Sequence, residues 1–141
     1  MEALLKKHAE KLKFAVVGGA NTALDFGVLF VLTFLGLDKI VANYISTGAA
    51  LIFSFFANKS FTFKGAEKGS AKKQFVLFLV ITLLGLWVLQ PLIIWGITAL
   101  LAPYIASEAI SLLIAKLIAT VATLIWNYIL YARVVFKKAV Y

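Results

Sequence analysis

The chain has 141 residues, 63% of them hydrophobic and only 14% charged, with a net charge of +8 and a mean hydropathy of +1.00. About a quarter of the residues in an average soluble domain carry charge, so this balance excludes an ordinary soluble fold. With no cysteine and one histidine, disulfides, thiolate chemistry and a His/Cys metal site are excluded, and with no Ser/His/Asp set or close carboxylate pair the chain is expected to be neither an enzyme nor the holder of a cofactor.

Residues 1–13 form a lysine-rich lead-in (LLKKHAEKLK), in which His8 reads as an interfacial residue. The stretch from Phe14 to Leu37 carries Asp25 as its one charge and predicts a first helix near 14–36. Gly18, Gly19 and Gly27, with Ala15, Ala20 and Ala23, are expected to let another backbone approach this helix closely. After the short turn GLDK, the uncharged run Ile40 to Ala57 predicts a second helix near 40–57. Residues 58–73, including FTFKGAEKGSAKK, read as a polar cytoplasmic loop.

The uncharged run Phe75 to Leu101 predicts a third helix near 75–101. Gln90-Pro91 interrupts it, because the proline ring removes one backbone hydrogen bond and clashes with the carbonyl of Trp87. A turn at Ala102-Pro103 leads to a fourth helix near 104–132, whose only charges are Glu108 and Lys116. Trp87, Trp95, Trp126, Tyr104, Tyr128 and Tyr131 read mainly as aromatic-belt anchors.

About 20 residues at 1.5 Å each cross the hydrocarbon core, so the four runs predict four transmembrane helices in one domain over 1–141. Backbone groups in lipid must be satisfied internally, which requires helices or a closed barrel. The ten-residue alternation of a barrel is absent. The first run is too long for a cleavable signal peptide and contains Asp25. Of the 14 basic residues, 12 fall in the lead-in, the 58–73 loop and the tail holding Arg133, Lys137 and Lys138. Those segments share one side of a four-helix topology, which predicts both termini in the cytoplasm and a multi-pass protein of the cell membrane. Topology alone accounts for the basicity, and no nucleic-acid partner is expected.

Laying the second helix on the fourth with an offset of 73 pairs Ala42, Ile45, Thr47, Ala49, Leu51, Ile52, Phe63 and Lys64 with Ala115, Ile118, Thr120, Ala122, Leu124, Ile125, Phe136 and Lys137. Asn43 then meets Lys116 and Ser54 meets Asn127. Two helices per copy leave both halves in the same orientation, so the expected architecture is two parallel two-helix repeats. Depth counting puts Asp25 and Lys116 both near mid-membrane, where an ionised group costs about 2.5–3.5 kcal/mol on insertion scales. Placing the two against each other offsets both penalties. The expected Asp25–Lys116 pair either fixes helix packing or forms the polar floor of a headgroup cavity.

Three stretches carry a family likeness. The run from Phe14 to Phe26 (FAVVGGANTALDF), the ending SFFANKSFTF on Asn58, Lys59, Phe61, Thr62 and Phe63, and the ending WNYILYARVVF on Asn127, Tyr128, Arg133 and Phe136 resemble the GtrA-like family of small four-helix membrane proteins. The likeness runs from Lys13 to Lys137. The second ending departs from the first: Ala132 stands at the place of Lys59 and Val134 at that of Phe61.

The resemblance implies translocation of polyprenyl-phosphate-linked sugars for cell-surface polysaccharide synthesis, with such a lipid and a membrane glycosyltransferase as partners. A non-transporting anchor subunit for that transferase is the alternative reading; a small multidrug-type proton antiporter is a third, which leaves the paired Asn/Phe endings unexplained. An anionic headgroup on an apolar tail calls for basic and amide groups at headgroup level. Lys13, Asn21, Asn58, Lys59, Asn127 and Arg133 are the residues this points to for the headgroup and phosphate. Four helices enclose little volume, so a homo-oligomer is also an expectation.

Overall fold

The computed structural model describes residues 1–66 and 68–137, apart from the side chains of residues 3, 4 and 7; Lys138 in the basic tail lies outside that range. The helices in chain order are α1 (Glu2–Phe34), α2 (Lys39–Ala57), α3 (Ala71–Leu84), α4 (Gln90–Leu101) and α5 (Glu108–Leu130). Three five-residue π turns extend or join them: Asn58–Thr62 after α2, Gly85–Leu89 between α3 and α4, and Tyr131–Val135 after α5. Four helical stretches are long and apolar enough to cross a membrane: His8–Phe34, Lys39–Thr62, Ala71–Leu101 and Glu108–Val135. The protein is an all-α, multi-pass membrane protein.

The chain forms two compact units, residues 1–66 and Lys68–Lys137, each a helical hairpin. In the first, α1 ends in a Schellman motif. Gly36 has φ +93°, its N–H reaches Thr33 O at 3.0 Å, and Leu37 N–H reaches Leu32 O at 3.0 Å. Asp38 caps α2 by accepting from Ile40 N at 2.9 Å and Val41 N at 3.3 Å. Helix α2 buries Ala42, Ser46 and Ala50, four residues apart, so one stripe of small side chains faces inward.

The second hairpin is built alike. Ser70 caps α3, and Ser107 caps α5 by accepting from Ile110 N at 3.4 Å. Helix α5 buries Ser111, Ala115, Ala119 and Thr123, again every fourth residue. Hydroxyls that would otherwise be stranded in apolar helices turn back to carbonyls four residues earlier, as Thr82 does to Phe78 O (2.7 Å) and Thr123 to Ala119 O (2.7 Å).

Several boundaries differ from the sequence expectation. The lead-in is not separate: α1 runs unbroken from Glu2, since nothing between Lys11 and Phe14 breaks a helix. Residues 58–62 are not loop but prolong the second span as a π turn, closed by Phe63 N–H to Asn58 O at 2.8 Å, with side chains adding further bonds to the last carbonyls of α2. Asn58 Nδ2 donates to Ser54 O at 2.8 Å and Ser60 Oγ to Phe56 O at 2.6 Å. The fourth helix starts at Glu108 rather than near 104, where the Ser107 cap sits. The Pro91 interruption takes the form of a π turn: the helix widens over Gly85–Leu89, the Gln90 N–H bonds to Gly85 O, and Pro91 falls in the first turn of α4.

Candidate functional site

The basic end of the first hairpin is organised by the Asn58–Thr62 turn. It closes where Phe63 N–H donates to Asn58 O at 2.8 Å, and the Phe63 ring is fully buried. Asn58 is 1% exposed. Its Nδ2 also reaches Ser54 Oγ at 3.2 Å, so both donor contacts go to Ser54 and the amide orientation is set. Its Oδ1 is buried and meets no donor among the described residues. Thr62 is 3% exposed, and its Oγ1 is likewise buried, with no partner among the described residues. The two lysines at this end sit on aromatic rings, Lys13 Nζ at 5.2 Å from the Phe61 centroid and Lys59 Nζ at 5.8 Å from that of Phe55. Such contacts hold an ammonium at the edge of an apolar span while leaving its hydrogens free for an anion.

The basic end of the second hairpin has the same backbone and different chemistry. Its turn, Tyr131–Val135, closes where Phe136 N–H donates to Tyr131 O at 2.7 Å. Tyr131 stacks on Phe78 at 4.6 Å, and its hydroxyl bonds Thr82 Oγ1. The Thr82 proton is already committed to the Phe78 carbonyl, so the tyrosine is the donor. Trp126 Nε1 donates to Ile81 O at 3.2 Å. A Cβ on the buried Gly85 would meet Thr123 Cγ2 at 3.1 Å, Trp126 Cδ1 at 3.2 Å and Asn127 Oδ1 at 3.3 Å. This is the close helix approach in the molecule that a glycine makes possible. The expected one on α1 is not found: a Cβ on Gly18, Gly19 or Gly27 meets nothing within 4 Å, because α1 turns Val17 inward and leaves those positions facing open space.

The burial patterns follow the 73-residue offset. Ala42, Ser46, Ala50, Asn58, Thr62 and Phe63 are buried, as are Ala115, Ala119, Thr123, Tyr131, Val135 and Phe136. Phe55 and Ser111 break the match, since Tyr128 is half-buried and Asp38 exposed.

Of the sequence-predicted residues, Lys13, Asn58 and Lys59 gather at the end of the first hairpin. Asn21 and Asp25 lie deeper on α1, half-buried, with Asn21 Oδ1 and Asp25 Oδ1 meeting no donor. Asn127 is half-buried on α5 with its Oδ1 unpartnered, and Arg133 is exposed on the second π turn. Lys116 is exposed and donates to Gln90 Oε1 at 2.9 Å. Asp25 and Lys116 belong to different units, and within its own unit Lys116 has Gln90.

Sequence reasoning missed Gln90 as that acceptor. The signal was present: Gln90 stands 13 residues before Pro103 and Lys116 stands 13 after it, equal depths on the two arms of one hairpin. The same counting about Leu37 matches Lys13 with Phe61, 24 residues to either side.

The transmembrane domain described as GtrA/DPMS matches residues 13–136, from Lys13 to Phe136 and so across both hairpins. The chain belongs to the GtrA/DPMS family. A relative from Bacillus subtilis (strain 168), the "Uncharacterized membrane protein YngA", is 34% identical over 124 residues, covering 85% of this chain and 77% of the relative. Membership of the GtrA/DPMS family suggests a role in handling polyprenyl-linked sugars.

Proposed function

We propose that this GtrA/DPMS protein translocates a polyprenyl-phosphate-linked sugar across the cell membrane for surface polysaccharide or glycoconjugate synthesis. The observation that carries this is the end of the first hairpin. There the turn Asn58–Thr62 carries Lys59 and two buried polar side chains with unused hydrogen-bonding capacity, and Lys13 of α1 reaches over its Phe61 ring. The lysines supply charge for a phosphate at headgroup depth, and the apolar helix surfaces suit a prenyl tail. Lys13, Asn58 and Lys59 form the headgroup set in this reading. Arg133 and Asn127 serve the second end, and Asn21 and Asp25 are polar positions further along the path.

The test is leaflet exchange of a fluorescent polyprenyl-phosphate sugar in vesicles holding the purified protein. Exchange well above that of protein-free vesicles is the expected result. Exchange at the protein-free rate, with the partner glycosyltransferase also present, would sink the transport reading and leave an anchor for that transferase.

A further inference from the structure

The two hairpin ends share a backbone but not a hydrogen-bonding state. In the second, Tyr131 fills the place of Asn58 with a stacked ring whose hydroxyl is satisfied by Thr82, and Val135 fills the place of Thr62. Ala132 and Val134 replace Lys59 and Phe61, removing a cation and the counterpart of the ring on which Lys13 sits. Two buried oxygens near this end, Asn127 Oδ1 and Gln74 Oε1, are reached by no described donor, and both lie outside the turn. Among the described residues, the second turn itself is internally complete.

The first is not. Thr22, Thr33, Thr82, Thr98, Thr120 and Thr123 each return their hydroxyl to a carbonyl four residues earlier. The corresponding carbonyl for Thr62 is that of Asn58, which accepts from Phe63 N–H. Among the described residues the Thr62 hydroxyl makes no such return bond. Asn58 has committed its donors to Ser54, so the oxygen is the part of the amide left over. Leaving such groups unpaired in a buried position is costly, and in a native protein calls for a partner.

We infer that the turn of the first hairpin reads the sugar of the headgroup, with Asn58 Oδ1 accepting from one sugar hydroxyl, Thr62 Oγ1 donating to another, and Lys13 and Lys59 holding the phosphate. Thr62 is then a specificity-determining residue, and Phe61 a positioning residue that acts through Lys13. The turn of the second end is its structural counterpart, filled by Tyr131 and Val135. This rests on the proposed function and adds which end reads the sugar, and with which atoms.

Nature has already placed the informative substitutions in the other half. Thr62→Val installs the residue found at Val135, which closes an equivalent turn while buried, so the variant is expected to fold. The full-length protein in detergent is titrated by native mass spectrometry with a short polyprenyl phosphate carrying one hexose, and with the same lipid lacking the sugar. The wild type should prefer the sugar-bearing lipid. Thr62→Val should weaken its binding about tenfold while leaving the bare lipid within about twofold, and Thr62→Ser should restore the preference. Lys59→Ala should weaken both lipids, by about tenfold or more. Phe61→Val should do the same to a smaller degree, and Phe61→Tyr should recover it.

If Thr62→Val keeps the wild-type preference, the buried oxygens serve only water and the inference fails, while the proposed function stands. A wild type that binds both lipids equally overturns the inference in the same way. A wild type that binds neither lipid overturns the inference and the reading beneath it.

Discussion

The two hairpins close on the same device and use it differently. Each ends in a five-residue π turn sealed by a buried phenylalanine, Phe63 in one and Phe136 in the other, at matching positions along the chain. In the first, the widened turn leaves a hydroxyl and an amide oxygen without partners among the described residues, and two lysines sit over Phe61 and Phe55; in the second, a tyrosine and a valine fill the matching places. The difference shows that backbone geometry and recognition chemistry can part company within one chain. A helix ending kept for packing in one half is a place to put unsatisfied polar groups in the other.

The likeness is tested most strongly at the sealing rings. Phe63→Ala and Phe136→Ala should each destabilise the protein by about 3–5 kcal/mol, as removal of a fully buried phenylalanine does. Thermal unfolding in detergent reads this. A large cost at one site with a negligible one at the other would break the equivalence of the two turns.

Mid-membrane charge separates the halves next. Lys116→Gln removes an ammonium that costs about 2.5–3.5 kcal/mol at mid-membrane, and it keeps an amide beside Gln90. If the lysine is otherwise uncompensated, the variant should be more stable than the wild type. If Asp25 is its partner, Lys116→Gln and Asp25→Asn should each destabilise. The double variant should then recover about 0.5–3 kcal/mol relative to their sum, which unfolding of all four proteins would resolve.

Glycine sites give a smaller contrast. Gly85→Ala should destabilise by about 1–3 kcal/mol, because the added carbon meets side chains from α5 at 3.1–3.3 Å. Gly18→Ala and Gly27→Ala meet nothing in the chain and should be neutral, or stabilising by about 0.5–1 kcal/mol through helix propensity. A loss on substituting Gly18 or Gly27 would show that a second copy or a partner packs on α1, in keeping with an oligomer. The smallest effect is expected from Tyr131→Phe, about 1 kcal/mol, since Thr82 keeps its bond to Phe78 O.

Much of this was legible before any coordinates. Apolar run length gave four spans, and Pro91 marked the break in the third. Small residues at matching positions, Ala42 with Ala115 in the 73-residue offset, also marked two places that are buried in the structure. What escaped was anything that depends on a helix changing pitch. Nothing in ANKSFTF states that the helix continues past Ala57 as a π turn, because that is a change of backbone hydrogen-bonding register, to Phe63 N–H on Asn58 O, which no residue type in the run prescribes. Glycine shows a related effect. Gly18-Gly19 looks like a packing motif, yet within the chain a Cβ at either meets nothing within 4 Å. The glycine that matters, Gly85, sits alone among large apolar residues and gains its role from the turn it opens.

The central claim is that the first hairpin end carries the headgroup during translocation. Leaflet exchange of a polyprenyl-phosphate hexose, measured in matched vesicles for the wild type, Lys59→Ala and Arg133→Ala, tests it most directly. The account expects exchange by the wild type, a loss of about tenfold or more for Lys59→Ala, and a clearly smaller loss for Arg133→Ala. Equal losses, a larger loss at Arg133, or no exchange by the wild type would contradict it.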